Sequence, residues 1–271
     1  MTHTTAPQML VNSKGKPITV SPSSLMGFIK SPHLYYLDRK ENMPWPRGAF
    51  PSLPDGMDDV IKGHYDAWRS EGLPPEVRSS GVPGRPHTDQ ALVTRLRTRG
   101  KKGLQPVVVT ADVGGVLYGV TLQGEMDELL LCEDGRVAVW DYKTKGTAPK
   151  GPEDAAMWYG AQFDAYALML EGQPEKFKVY PEAFAAYYYP EREVAINAAQ
   201  TGQINFGFRA QVVRIPNSAA RSLALVQDIV RTLAGPLPPL LAPSIVPPDY
   251  NKEPQYLADY LGRGVKVPVG A

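Results

Sequence analysis

Residues 124–145 read GEMDELLLCEDGRVAVWDYKTK, and the fold turns on this stretch. Two apolar runs, MDELLLC and RVAVW, flank Asp134-Gly135, a dipeptide suited to a tight hairpin turn. Side chains alternate along a strand, so Asp141 and Lys143 face one side of the sheet and Tyr142 the other. Reflection about the turn sets Asp127 opposite roughly 141 to 143. Two carboxylates and one ammonium therefore converge on one patch. Neighbouring carboxylates raise each other's pKa unless a cation or proton lies between them. A hard ion such as Mg²⁺ suits that need, and one of its retained waters can attack a phosphodiester. A purely structural salt bridge would use the same spacing. Acid-x-Lys alone decides nothing, because Asp38-x-Lys40 occurs at the polar end of a helix and reads as a solvated pair.

Working outward, PVVVTAD (106–112) and VLYGVTL (116–122) are further strands separated by Gly114-Gly115. Downstream, Pro152 and two acids open a helix running from about Glu153 to Glu171, which Gly172 and Pro174 close. AFAAYYYP (183–190) is a strand, and another follows near 209 to 215. Asn217 then caps a helix with a stripe of Leu223, Val226, Ile229, Val230 and Leu233, ended by Gly235-Pro236. Upstream, Ser21-Pro22 and Ser31-Pro32 each place a capping hydroxyl before a helix-opening proline. Asp55 caps a helix over 57–71, where Met57, Val60, Ile61, His64 and Trp68 recur at helical spacing and put His64 on the apolar face. RLRTRGKK (95–102) reads as a solvated charged turn; in an extended segment, Arg95, Arg97 and Arg99 would instead align to meet phosphates. The organisation predicted is a tail at 1–20 with order beginning near Ser21, one domain over 21–235, and a proline-rich extension over 236–271.

The 29 Lys and Arg balance 28 Asp and Glu to a net charge of +1, which argues against polybasic coating of nucleic acid and leaves a locally basic groove open. With 43% hydrophobic residues the chain is not intrinsically disordered. Cys132 is the sole cysteine, which rules out an internal disulfide, a four-cysteine zinc site and a cysteine-ligated iron–sulfur cluster. Neither a signal-peptide core nor a run of about 18 apolar residues occurs. A cytoplasmic protein that does not span a membrane is expected. The sequence holds no phosphate-binding G-x-x-x-x-G-K-[ST] loop, so any motor activity would come from another chain.

Three spaced motifs then make a specific resemblance: G-x-x-D at Gly124–Asp127, D-x-K at Asp141–Lys143, and Q-x-x-x-Y at Gln162–Tyr166 on one helix face. Together they resemble the RecB-type branch of the PD-(D/E)xK nuclease superfamily. SPSSLMGFIKSPHLYYLDRK (21–40) is similar to the opening helices of that family, with Ser31 where iron–sulfur members carry cysteine. The resemblance implies an α/β, restriction-endonuclease-like core: a central mixed β-sheet flanked by helices, with extra helices at both ends. It implies a Mg²⁺-dependent deoxyribonuclease, Mn²⁺ able to substitute, with no iron–sulfur cluster. Asp127, Asp141 and Lys143 become the catalytic set. Asp127, Asp141, the Tyr142 carbonyl and His64 become the metal ligands, with Asp59 and Asp66 as substitutes for the histidine. Gln162 and Tyr166 position the strand. DNA is the expected substrate, attacked from ends or along single strands, and a separate helicase or recombination protein is the expected partner. Two other readings stay open: a nuclease fold without turnover that binds DNA or protein, and a structure-specific endonuclease.

Overall fold

Residues 6–43, 52–98, 100–191 and 207–239 are described by a computed structural model. The chain opens with two short strands, β1 (Gln8–Met9) and β2 (Thr19–Val20), then helices α1 (Leu25–Lys30), α2 (Pro32–Arg39), α3 (Ser52–Trp68) and α4 (Pro75–Arg78). Next come β3 (Gly84–Pro86), α5 (Gln90–Leu96), β4 (Val107–Val113), β5 (Val116–Leu122), β6 (Glu128–Cys132) and β7 (Val137–Thr144). Helix α6 (Pro152–Glu171), strands β8 (Glu182–Pro190) and β9 (Phe208–Pro216), and helix α7 (Ala219–Ala234) complete it.

The hairpin at 124–145 forms the centre. Glu128 pairs with Trp140 and Leu131 with Val137 across an antiparallel ladder, and Gly135 supplies the positive φ (+79°) that its turn requires. Strand β7 then pairs in parallel with β8, joined through the crossover helix α6, so the five-stranded sheet runs β3-β6-β7-β8-β9. A second sheet is built on β5, which pairs with β4 in antiparallel fashion and with β1 and β2 in parallel.

The two faces of the five-stranded sheet bury different partners. Val137, Val139, Ala183, Ala185 and Tyr187 pack beneath Phe163, Met169, Val226 and Ile229 of α6 and α7. Trp140, Tyr142, Phe184 and Tyr188 pack beneath Ile61 and Tyr65 of α3 and Val77 of α4. Each such aromatic or aliphatic side chain taken fully from water contributes about 1.5–3 kcal/mol. This is the mixed α/β arrangement of sheet flanked by helices that the sequence predicts. Among the described residues, no helix is long and apolar enough to cross a membrane.

Several local expectations change. Ordered structure starts upstream of Ser21, because Leu10, Ile18 and Val20 are buried against the β5 sheet. Strands of two residues carry no readable alternation, so only their pairing with β5 reveals them. Ser31 does cap α2, accepting from the Leu34 amide at 3.1 Å. Ser218 and not Asn217 caps α7, accepting from the Arg221 amide at 3.3 Å, and Leu223 is left exposed while Ser222 turns inward. RLRTRGKK is not extended: α5 runs to Leu96, which splits Arg95 onto Glu175 and Arg97 into the protein. Arg99 and the 240–271 part of the extension lie outside the described residues.

The register of α3 matters most for function. Val60 is 64% exposed, whereas Tyr65 is fully buried, with its ring 4.6 Å from Tyr142 and 5.9 Å from Trp140. The buried stripe is therefore Ile61 and Tyr65, rotated away from the expected Val60 and His64. Tyr65 can occupy the core because its hydroxyl shares a hydrogen bond with that of Tyr188 at 3.2 Å, while the Tyr188 proton is donated to Glu76 at 2.9 Å. That rotation sends His64 outward to meet Glu76 (2.9 Å) and turns Asp58 and Lys62 towards the end of β7.

Candidate active site

The β6–β7 ladder ends at Glu128↔Trp140, one residue short of Asp127 and Asp141. Beyond it the β7 edge has lost its partner strand, and the Asp127 carboxylate takes over, accepting from the Tyr142 amide at 2.9 Å. In a strand the N–H and C=O of one residue point to the same edge, so the Tyr142 carbonyl is directed to this side too. The Tyr142 ring goes the opposite way, into the core beneath α3.

Asp141 lies on the α6 face of the sheet and is 2% exposed, with Lys143 against it as an ion pair. The Asp141 Oδ2 atom is the one that meets the Lys143 ammonium. Burial pushes the Asp141 pKa up to about 7; Lys143 opposes the rise and the nearby Asp127 carboxylate adds to it. For Lys143, burial works against the charge, yet Asp141 and Asp127 hold its pKa above the ordinary lysine value. Lys143 is thus a cation at neutral pH. Its ammonium also sits 4.5 Å from the centre of the Tyr159 ring and donates to Gln162 Oε1 at 3.4 Å. Gln162 Nε2 in turn donates to the Tyr166 hydroxyl at 2.7 Å. Residues one helical turn apart on α6 thus extend the β7 site into a polar chain.

These groups open into a cavity of about 590 Å³. Asp127, Asp141, Lys143, Gln162 and Tyr166 line one part of it; Asp58 and Lys62 from α3 line another. Lys62 lies between two acids, 2.5 Å from Asp58 Oδ2 and 3.4 Å from Asp127 Oδ1. Thr19, Ser21 and Ser23 from the N-terminal segment supply a hydroxyl wall. Gly124 is what lets that wall close up, because a Cβ there would fall 2.6 Å from Pro22 Cδ. The glycine of G-x-x-D is thereby a close-approach residue.

His64 is not among the residues that line the cavity. Asp59 is exposed, and Asp66 is engaged elsewhere. Asp66 belongs to a charge cluster directly behind Asp127. Glu128, fully buried, accepts from both Arg69 terminal nitrogens at 3.1 and 2.6 Å and from Arg97 at 3.1 Å. Asp66 accepts from Arg69 at 2.5 Å and from Arg97 at 2.9 Å. Arg97 Nε donates to the Asp127 carbonyl at 2.8 Å, so the cluster grips the main chain of a site residue. Burial acts against the Arg69 charge, but bonds to Glu128 and Asp66 keep its pKa above the ordinary arginine value. Asp58, Lys62, Arg69, Arg97 and Glu128 are the residues that sequence reasoning missed. A signal exists: Asp58, Lys62, Asp66 and Arg69 are spaced by four, four and three and alternate in sign, which looks like a solvated helix face.

A model of the PD-(D/E)XK nuclease superfamily matches residues 19–252. The chain belongs to the PD-(D/E)XK nuclease superfamily. Its sheet flanked by helices is accordingly the restriction-endonuclease-like fold, and nuclease chemistry on nucleic acid is the activity of this superfamily. No curated protein matches the chain. One solved structure, titled "Crystal structure of SSO0001", is similar at 11% identity and a TM-score of 0.32, with 78% of this chain and 75% of that one covered. So loose a likeness says nothing further about this superfamily member.

Superfamily members typically use divalent metals. Among the described residues no three His, Cys, Asp or Glu side chains already form a metal cage, and Lys62 and Lys143 hold the acids instead. The donor set still fits a hard divalent ion. Two adjacent carboxylates and a main-chain carbonyl are all oxygen ligands. The cavity also has room for the waters such an ion keeps.

Proposed function

We propose that this chain is a Mg²⁺-dependent deoxyribonuclease, a RecB-like exonuclease that hydrolyses phosphodiesters at DNA ends or along single strands. The observation that supports it is the juxtaposition of Asp127 and Asp141 with Lys143 at the unpaired edge of β7, open to a cavity. In this reading Asp127, Asp141 and the Tyr142 carbonyl are ligands. Asp58, which faces the cavity, is the helix ligand in preference to His64, whose ring is turned to Glu76. The bound ion supplies Lewis-acid activation of water and phosphate.

The remaining work falls to the chain's own groups. Lys143, held charged by its two acidic neighbours, orients the attacking water and offsets negative charge developing on the phosphoryl oxygens. It acts as a cation and not as a base. Gln162 fixes the Lys143 ammonium through its Oε1, and Tyr166 fixes Gln162, so the pair positions both the lysine and the strand passing above it. Arg97 keeps Asp127 at the ladder end. The single thiol, Cys132, is buried, which suits a reducing cytoplasmic setting, and strand separation would fall to a helicase partner.

The test is metal-dependent degradation of linear single-stranded and duplex DNA by the wild type, Asp141→Asn and Lys143→Ala. Activity should vanish in both variants while folding and DNA retention persist. Identical behaviour of all three proteins would overturn the proposal. Closed circular single-stranded DNA separates the two modes: an exonuclease leaves it intact, and an endonuclease opens it.

A further inference from the structure

We infer that Trp158, with Lys30 across its ring, is a stacking platform for an unpaired base of the nucleic-acid strand that enters the site. The inference rests on the nuclease reading above and adds a subsite to it.

Trp158 precedes Gln162 by one helical turn and Tyr166 by two, so the three share a face of α6, with neighbouring Cβ atoms about 5–6 Å apart. Tyr166 and Gln162 line the cavity; Trp158 is the next step outward and is 38% exposed. The ammonium of Lys30, from α1, lies 4.9 Å from the ring centre. Beside it, Lys143 and Lys145 of the β7 end lie 4.5 and 5.4 Å from the centre of the Tyr159 ring. Trp158 and Tyr159, consecutive on α6, thus each carry an ammonium near the ring: Lys30 at the first, and Lys145 beside the site's own Lys143 at the second.

That combination matches single-stranded nucleic acid. Ammonium groups follow the phosphates, while an indole face accepts any base, because every base has a π-face. Asp154, one further turn towards the start of α6, ends the strip, since a carboxylate there repels phosphates. The geometry also orders the strand: a base on Trp158 sets the backbone running along α6 towards Gln162 and the paired carboxylates. A duplex would have to unstack its terminal base to use this subsite, so single strands and frayed ends are favoured.

The test uses the full chain in excess EDTA, where cleavage is blocked, and a fluorescein-labelled 15-mer of thymidine beside an abasic 15-mer of equal charge. Anisotropy titration of the wild type should give at least about fivefold tighter binding of the thymidine strand, the low end of what one stacked base contributes. Trp158→Ala should remove that preference while keeping its thermal unfolding curve, and Trp158→Phe should retain most of it. Equal affinity of the wild type for the two strands, or a preference that survives in Trp158→Ala, overturns the platform but leaves the nuclease reading intact. The same holds if Trp158 serves an apolar partner protein, since neither oligonucleotide would then sense the substitution. A wild type that binds neither strand and degrades no DNA overturns both.

Discussion

Replacing Glu128 by Gln should be among the most damaging single changes to this protein, although it alters one atom. Glu128 is fully buried and is the shared acceptor of Arg69, 7% exposed, and of Arg97. Glutamine keeps the shape but offers one acceptor oxygen and turns an NH₂ group towards guanidinium donors. Among the described residues, Asp66, about a third exposed, is then the one carboxylate still paired with the two arginines. Breaking a buried ion pair from one side costs about 3–5 kcal/mol, because the surviving charge stays desolvated. For a domain of this size that corresponds to a melting temperature lower by on the order of 10 °C. Urea unfolding followed by circular dichroism would measure it, and raising the salt should recover little, as buried pairs are weakly screened. The loss should also reach catalysis, since Arg97 carries the Asp127 carbonyl. A change below about 1 kcal/mol would refute the reasoning and mean that water reaches the cluster.

The other predictions concern the site itself. Folded Asp141 holds its proton up to about pH 7 against an ordinary value of 3.8, so the folded state binds that proton more tightly than the unfolded chain. Its stabilising contribution is therefore complete below the ordinary value and is lost as pH rises through about 7. Melting curves in EDTA should decline more steeply over this window for wild type than for Asp141→Asn; equal slopes would contradict it. Asp58→Asn should weaken Mn²⁺ binding, read by calorimetry, by on the order of tenfold, whereas His64→Gln should leave it nearly unchanged. The reverse order would return the ligand role to His64. Gly124→Ala forces a Cβ to within 2.6 Å of a rigid proline ring, and overpacking of this kind costs about 1–3 kcal/mol. Its turnover should fall further than its stability, since the displaced segment carries Ser21 and Ser23 on the cavity wall.

The strands, the crossover helix and the pairing of Asp127 with Asp141 could be read along the chain because their determinants are local. Alternation, a Gly turn and a proline-opened helix each occupy a few consecutive residues, and the Glu128↔Trp140 register follows from the position of one turn. Gln162 and Tyr166 follow likewise from helix periodicity, which puts residues four apart on one face. Helix α3 is the counter-example. Its apolar pattern allows two rotations differing by about one residue, and counting Val60 while discounting Tyr65 selects the wrong one. Tyr65 can be buried only because Tyr188, 123 positions away, offers a hydroxyl partner, and no local pattern contains that fact.

The same reason separates the two halves of the site. Asp127, Asp141 and Lys143 lie within one hairpin, so strand geometry and chain order were enough to bring them together. Asp58, Lys62, Arg69 and Arg97 reach it from other elements, and in sequence they look like ordinary solvated charges. Whether such a charge faces water or a buried carboxylate depends on how α3 and α5 dock on the sheet. Docking is settled by packing many distant side chains at once, and so it first becomes visible in three dimensions.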